Sequence, residues 1–215
     1  MLRILLADDH DVVRRGLRDQ LASHAGWEVI GDARDGREAV KLALDLKPDV
    51  VVLDLSMPEL NGLEATRQIR KELPKTEVLI FTMHETEQLI REVLAAGARG
   101  YVLKSDAGVQ LNQAVEALSH HKPFFTAKVS QALLDAFLKS DARVDEASVV
   151  HSLTGREREI VQMLAEGKSN KEIANSLSIS VKTVETHRAA VMRKLEINSI
   201  VELVHYAIRN QLVQP

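Results

Sequence analysis

Short apolar runs alternate with helix-spaced apolar positions over the first half of the chain. Ile4-Leu5-Leu6-Ala7, Val29-Ile30, Val50-Val51-Val52-Leu53, Val78-Leu79-Ile80-Phe81 and Tyr101-Val102-Leu103 have the length and continuity of buried strands. Between them Val13, Leu17 and Leu21 recur every four residues. Ala39, Leu42, Ala43 and Leu46 share one helical face, as do Leu89, Val93 and Ala96. Five strands alternating with helices predict a doubly wound α/β fold, a five-stranded parallel sheet covered on both faces. In that architecture ligands bind beyond the carboxyl ends of the strands, at the switch point. From about Leu153 the strand pattern is gone. Four short helices are predicted there, broken at Gly167-Lys168-Ser169-Asn170, Ser178-Ile179-Ser180 and Ile197-Asn198-Ser199. The polar stretch from Ser140 to Val150 reads as a linker, and Val129, Leu133, Leu134, Phe137 and Leu138 before it suggest a helix that docks or dimerises. The expected organisation is a first domain over 1–120, a linker with a helix over 121–150, and an all-α domain over 151–215.

Composition narrows the chemistry. Only 3% of the residues are aromatic, so the cores must be built from Leu, Ile, Val and Ala. The absence of cysteine excludes disulfides, thiolate metal sites and cysteine nucleophiles, and fits a reducing cytoplasm. No apolar run approaches a membrane span, and Asp8-Asp9 falls where a signal peptide would still be apolar, so a cytoplasmic protein with no membrane partner is expected. The net charge of −3 is uneven: 19 basic residues face 24 acidic ones up to Ala147, and 9 face 7 from Ser148. The slightly basic second half hints weakly at nucleic acid.

Chemistry-bearing residues follow the strands in order. Asp8 and Asp9 come after the first, Asp54 after the third, Thr82 after the fourth and Lys104 after the fifth. If the first and third strands are neighbours, the three acids meet at one edge, where like charges repel and resist desolvation. A divalent cation relieves that cost. Oxygen ligands with no Cys or nearby His favour Mg²⁺. With the metal in place, one aspartate can act as nucleophile toward a phosphoryl group whose oxygens Lys104 and Thr82 hold. A single Asp ending a strand is usually a turn or cap residue; five such groups in strand order are not explained that way.

These residues, with Asp54-Leu55-Ser56-Met57-Pro58, Gly62 and Gly100-Tyr101-Val102-Leu103-Lys104, resemble the receiver domain of two-component response regulators, a flavodoxin-like fold, over roughly Leu2 to His120. The resemblance implies that Asp54 accepts phosphate from a sensor histidine kinase. It implies that Asp8, Asp9, Asp54 and the main-chain carbonyl of Ser56 surround Mg²⁺, and that Thr82 and Tyr101 form a switch pair whose ring turns inward on phosphorylation. A phosphatase of the haloacid-dehalogenase type shares the aspartyl nucleophile but needs an acid two residues later. Ser56 stands there, which argues against an enzyme that turns over external phosphate esters.

In the second half, Thr154 with Glu157 makes a capping box, Gly167 suits a helix end, and Ser169 with Glu172 caps the next helix. Ser180 caps a third, with Thr183 at its third position. Two short helices joined by so tight a turn make a helix-turn-helix. On the third helix Val184, His187, Val191 and Leu195 face a core, His187 as a packing residue. Lys182, Thr186, Ala189 and Arg193 lie opposite, flanked by Glu185, Arg188 and Lys194. Composition alone leaves open whether this face reads a major groove or is simply solvated. Leu153 to about Val213, with Leu-Thr-x-Arg-Glu-x-Glu at 153–159, resembles the four-helix LuxR-type helix-turn-helix, and the whole chain resembles the NarL/FixJ class of response regulators.

That resemblance implies a recognition helix near Val181–Leu195 whose Glu185, Thr186 and Ala189 meet bases. Lys182, Arg188 and Lys194 then lie mostly on phosphates, with Thr183 and Arg193 nearby. It implies double-stranded promoter DNA, a homodimer on DNA with the last helix (Leu203, Ala207, Ile208) as contact, and RNA polymerase as partners. Three rivals remain open: a regulator indifferent to phosphate, a Mg²⁺ phosphohydrolase with a helical tail, and an adaptor whose helical half binds protein.

Overall fold

The computed structural model describes residues 1–127, 129–131, 134, 153–210 and 212–213. These form two compact units, an amino-terminal α/β unit and a carboxyl-terminal helical unit. Of the helix expected before the linker, Leu133, Phe137 and Leu138 lie outside the described residues, as does most of the linker itself.

In the first unit the order is β1 (Leu2–Ala7), α1 (Asp11–Ala22), β2 (Trp27–Ala33), α2 (Gly36–Leu46), β3 (Val50–Leu53), α3 (Gly62–Glu72), β4 (Glu77–Thr82), α4 (Glu87–Ala95), β5 (Gly100–Leu103), a 3₁₀ turn at Lys104–Asp106, α5 (Ala107–Ser119) and β6 (Phe124–Phe125). Every residue of β3, β4 and β5 is buried, as continuous apolar runs in a parallel sheet require. The strand order is β2-β1-β3-β4-β5-β6, all parallel. Alternate side chains split between the faces. Ile4, Leu6, Val50, Val52, Leu79, Phe81 and Val102 pack with Leu17 and Leu21 of α1 and Leu111, Val115 and Leu118 of α5. Their neighbours Leu5, Val51, Leu53 and Ile80 are buried on the other side, where α2 and α3 pack against the sheet.

The five-stranded expectation is corrected to six strands. β6 is two residues long, too short for any periodicity to show, and exists because Phe124 and Phe125 pair with Gly100 and Tyr101 across the edge of the sheet. β2 is also longer than its apolar pair Val29-Ile30, because pairing with β1 carries it from Trp27 to Ala33 past an irregularity between Ile4 and Leu5.

The second unit holds α6 (Gly155–Ala165), α7 (Asn170–Ser176), α8 (Val181–Lys194) and α9 (Ile200–Arg209). Each start is chemically marked. Thr154 with Glu157, Ser169 with Glu172 and Ser199 with Glu202 form reciprocal capping boxes, and Ser180 accepts from the Thr183 amide. Gly167 ends α6 in the left-handed region at φ +83°. One core joins the four helices through Ile160, Val161, Met163, Ile173, Val184, Val191, Leu203 and Ala207. Among the described residues no helix is long and apolar enough to cross a membrane.

Candidate phosphoryl pocket and recognition helix

Strand register builds the acidic pocket. Ala7 pairs with Leu53, so the next residues, Asp8 and Asp54, leave neighbouring strands side by side. Thr82 pairs with Leu103, so Lys104 enters from the strand beyond. Both Asp8 and Asp54 are buried, and Asp9 is exposed at the rim. Lys104 Nζ donates to Asp54 Oδ2 at 2.9 Å. It lies 2.7 Å from Asp8 Oδ2 in a second ion pair. Asp54 Oδ1 accepts from the Leu55 amide at 2.8 Å, and Asp8 Oδ1 from the His10 amide at 2.8 Å.

One ammonium between two buried carboxylates leaves negative charge in excess. Burial, opposed by Lys104 and reinforced by the Asp8 charge, holds Asp54 above the ordinary carboxylate value. For Lys104 burial works the other way, but the Asp54 charge and the bonds to both acids outweigh it and raise the ammonium above its usual value. The donor set suits a divalent cation: one ligand atom each from Asp8, Asp9, His10 and Asp54 lie within 4.8 Å of one another, and buried Asp8 and Asp54 share one ammonium. His10 corrects the expectation of a pocket with no nearby His; its Nδ1 is 2.6 Å from Asp9 Oδ1.

The remaining residues of the pocket meet at His84, which the sequence reading passed over. Its amide donates to Thr82 Oγ1 at 3.3 Å, its carbonyl accepts from Tyr101 Oη at 2.7 Å, and its Nε2 lies 2.9 Å from Ser56 Oγ. Thr82 and Tyr101 are fully buried. Burial, with the charges of Glu85 and Asp54 added, pushes the Tyr101 phenol above its ordinary value. Arg14 was also missed. Its guanidinium, buried among apolar helix positions, donates to the Asp8 carbonyl at 2.6 Å and bonds Asp11.

Gly62, at the start of α3, packs against the main chain of Asp54 and Leu55. Its amide donates to Leu55 O at 2.9 Å, and a Cβ there would sit 2.0 Å from the Asp54 carbonyl oxygen. That neighbour is backbone and cannot swing away. Gly62→Ala is therefore expected to displace the Asp54 strand end and cost about 2 kcal/mol or more. Thermal unfolding read together with phosphoryl uptake checks it, since both should fall.

In the second unit Lys182, Glu185, Thr186, Ala189 and Arg193 are exposed along one side of α8, while Val184 and Val191 are buried and His187 and Leu195 half-buried. Thr186 Oγ1 donates back to Lys182 O at 2.9 Å, which commits its hydrogen to the helix. Two residues expected near DNA are engaged elsewhere. Half-buried Thr183 bonds Ser180 at the helix cap, and Lys194 Nζ donates to Glu157 at 2.7 Å.

The response regulator receiver domain family matches residues 4–116, and the family of bacterial regulatory proteins of the luxR type matches 151–207. The chain is a two-component response regulator with a LuxR-type DNA-binding domain. Transcriptional regulatory protein LiaR of Bacillus subtilis is 40% identical over 99% of this chain and all of the relative. Oxygen regulatory protein NreC of Staphylococcus epidermidis is 39% identical over 99% of this chain and all of its own. RcsB from Salmonella enterica serovar Typhimurium, solved on the promoter P1flhDC in the presence of the phosphomimetic BeF3⁻, is 27% identical with a TM-score of 0.59 over 95% of this chain and 97% of that one. As a member of that family, this response regulator serves the regulation of transcription and is not an enzyme.

Proposed function

We propose that Asp54 is the phosphoacceptor and that its phosphorylation by a sensor histidine kinase controls dimerisation and binding to promoter DNA. The observation that carries this reading is the buried Asp8–Lys104–Asp54 arrangement at adjacent strand ends. An Asp54 carboxylate oxygen attacks phosphorus, the bond from phosphorus to the donor breaks, and an acyl phosphate forms. Lys104 and Thr82 then face the new phosphoryl oxygens, a charge-assisted ammonium bond and a hydroxyl bond. Asp8, Asp9, Asp54 and the main-chain carbonyl of Ser56 would hold Mg²⁺, which would supply positive charge among the acids and the phosphoryl group. Tyr101 reports the change through the His84 carbonyl it bonds.

In the second domain, taken as 151–215 behind a receiver of 1–120 and a linker of 121–150, α8 enters the major groove. Glu185, Thr186 and Ala189 meet base edges. Lys182 and Arg188 hold phosphates, with Arg193, Thr183 and Lys194 at the margins. Because the Thr186 hydrogen is spent on Lys182 O, its methyl group is free to meet a thymine methyl. Paired half-sites call for a homodimer, and RNA polymerase is the partner downstream.

Radiolabelled acetyl phosphate tests the assignment. Wild type is expected to take up a label cleaved by hydroxylamine, and Asp54→Ala to take up none; equal labelling of both proteins overturns it. A phosphate-independent regulator is the second reading, favoured by one observation: Tyr101 is already wholly buried. Operator binding by Asp54→Ala equal to that of phosphorylated wild type would favour it.

A further inference from the structure

The imidazole of His10 stands at the acidic pocket, beside the Asp9 carboxylate. His10 occupies the N-cap position of α1, where Ser, Thr, Asp or Asn is worth about 1 kcal/mol. Its side chain makes no capping bond. It turns instead toward the acids, with Nδ1 2.6 Å from Asp9 Oδ1 and 3.4 Å from Asp8 Oδ1. Two ligands at right angles, each about 2.1 Å from a shared ion, lie about 3 Å apart. The two separations bracket that spacing, and the ligand atoms of Asp8, Asp9, His10 and Asp54 all fall within 4.8 Å. A local rule broken at a functional edge, with the side chain redirected into it, is the pattern of a residue kept for chemistry.

We infer that His10 is a nitrogen ligand of the cation pocket, giving it a mixed oxygen–nitrogen shell that favours first-row transition ions over Mg²⁺. The inference rests on the cation site proposed above and names the class of ion it takes. Mg²⁺ is hard and gains little from an imidazole, whereas Co²⁺, Zn²⁺ and their neighbours gain substantially. The mark of His10 is therefore a difference between ions, and not tight binding of any one of them.

Calorimetric titration of the full-length protein with MgCl₂ and with CoCl₂ reads that difference. His10→Asn is the variant of choice because Asn is a favoured N-cap residue and supports α1. Circular dichroism confirms its fold, and His10→Ala serves as a second variant. Loss of the nitrogen is expected to weaken Co²⁺ binding about tenfold or more while Mg²⁺ affinity stays within about twofold. Pulsed electron paramagnetic resonance of the Mn²⁺-loaded protein is expected to show an imidazole nitrogen coupling in wild type that is lost in His10→Asn. Equal changes for Co²⁺ and Mg²⁺, no change for either, or no nitrogen coupling in wild type overturns the inference and leaves the acidic site standing. Undiminished affinity for both ions in Asp54→Asn would remove the cation site itself, and the inference with it.

Discussion

Asp54→Asn is expected to abolish phosphoryl uptake and, in metal-free neutral buffer, to make the α/β unit more stable than wild type. The first effect follows from chemistry, because an amide cannot form the acyl phosphate. The second follows from electrostatics. Asp54 is buried beside buried Asp8, and the single Lys104 ammonium serves both. Its carboxyl is held above the ordinary value chiefly by burial, so the native state binds that proton more tightly than the unfolded chain does. In acid, where both states are protonated, the group is neutral in its effect. As pH rises from the ordinary carboxylate range through the raised native value, ionisation is opposed in the native state and stability is lost; above that value the loss is constant. Asn carries no such penalty, so the advantage of the variant opens across that window and persists at neutral pH. A gain on the order of 1 kcal/mol raises the midpoint by about 4 °C for a domain of this size. Added Mg²⁺ stabilises wild type by mass action and narrows the gap. A variant less stable than wild type throughout this range, without metal, would show that Lys104 already compensates both acids.

That strain was legible in outline from the order of residues along the chain. A buried parallel strand reads as an unbroken apolar run, so an acid or lysine at its end stands out; Asp8, Asp54 and Lys104 were found that way. The register that makes them neighbours, Ala7 opposite Leu53 and Thr82 opposite Leu103, comes from tertiary pairing, which leaves no local mark. His84 was missed for the same reason: its bonds reach Ser56 and Tyr101, 28 and 17 residues away. Arg14 sits within an amphipathic helical pattern and reads there as a solvated charge. His10 was in plain view beside Asp8-Asp9, and only adjacency would have flagged it.

The helical unit was more legible because helix starts are local chemistry. Thr154 with Glu157 and Ser169 with Glu172 announce themselves at three-residue spacing. The box of Ser199 with Glu202 follows the same rule at the break Ile197-Asn198-Ser199. Face assignment on α8 followed from the helical period alone, since Lys182, Thr186, Ala189 and Arg193 are all exposed. What periodicity does not carry is the tie from Lys194 to Glu157, 37 residues distant. It spends one of the expected phosphate contacts inside the domain.

Glu185 on that exposed face should decide sequence choice on DNA. Selection of fragments from a random duplex pool is expected to return different bases at one half-site position for wild type and for Glu185→Lys. The carboxylate is exposed and lies on the side of α8 with Lys182, Thr186 and Ala189. In the orientation proposed for α8, a negative charge brought against phosphates costs affinity, and a contact that only an acid makes would offset it. In the major groove the partner for a carboxylate is the amino group of cytosine, whereas lysine bonds the acceptors of guanine. The substitution therefore exchanges a cytosine preference for a guanine preference at the same base pair position. One good contact discriminates by about 1–3 kcal/mol, or roughly tenfold to over a hundredfold. Binding of Glu185→Lys to random duplex should strengthen and its salt dependence steepen, because a cation replaces an anion near the backbone. Identical selected sequences for the two proteins would place Glu185 outside the groove, and with it the orientation proposed for α8.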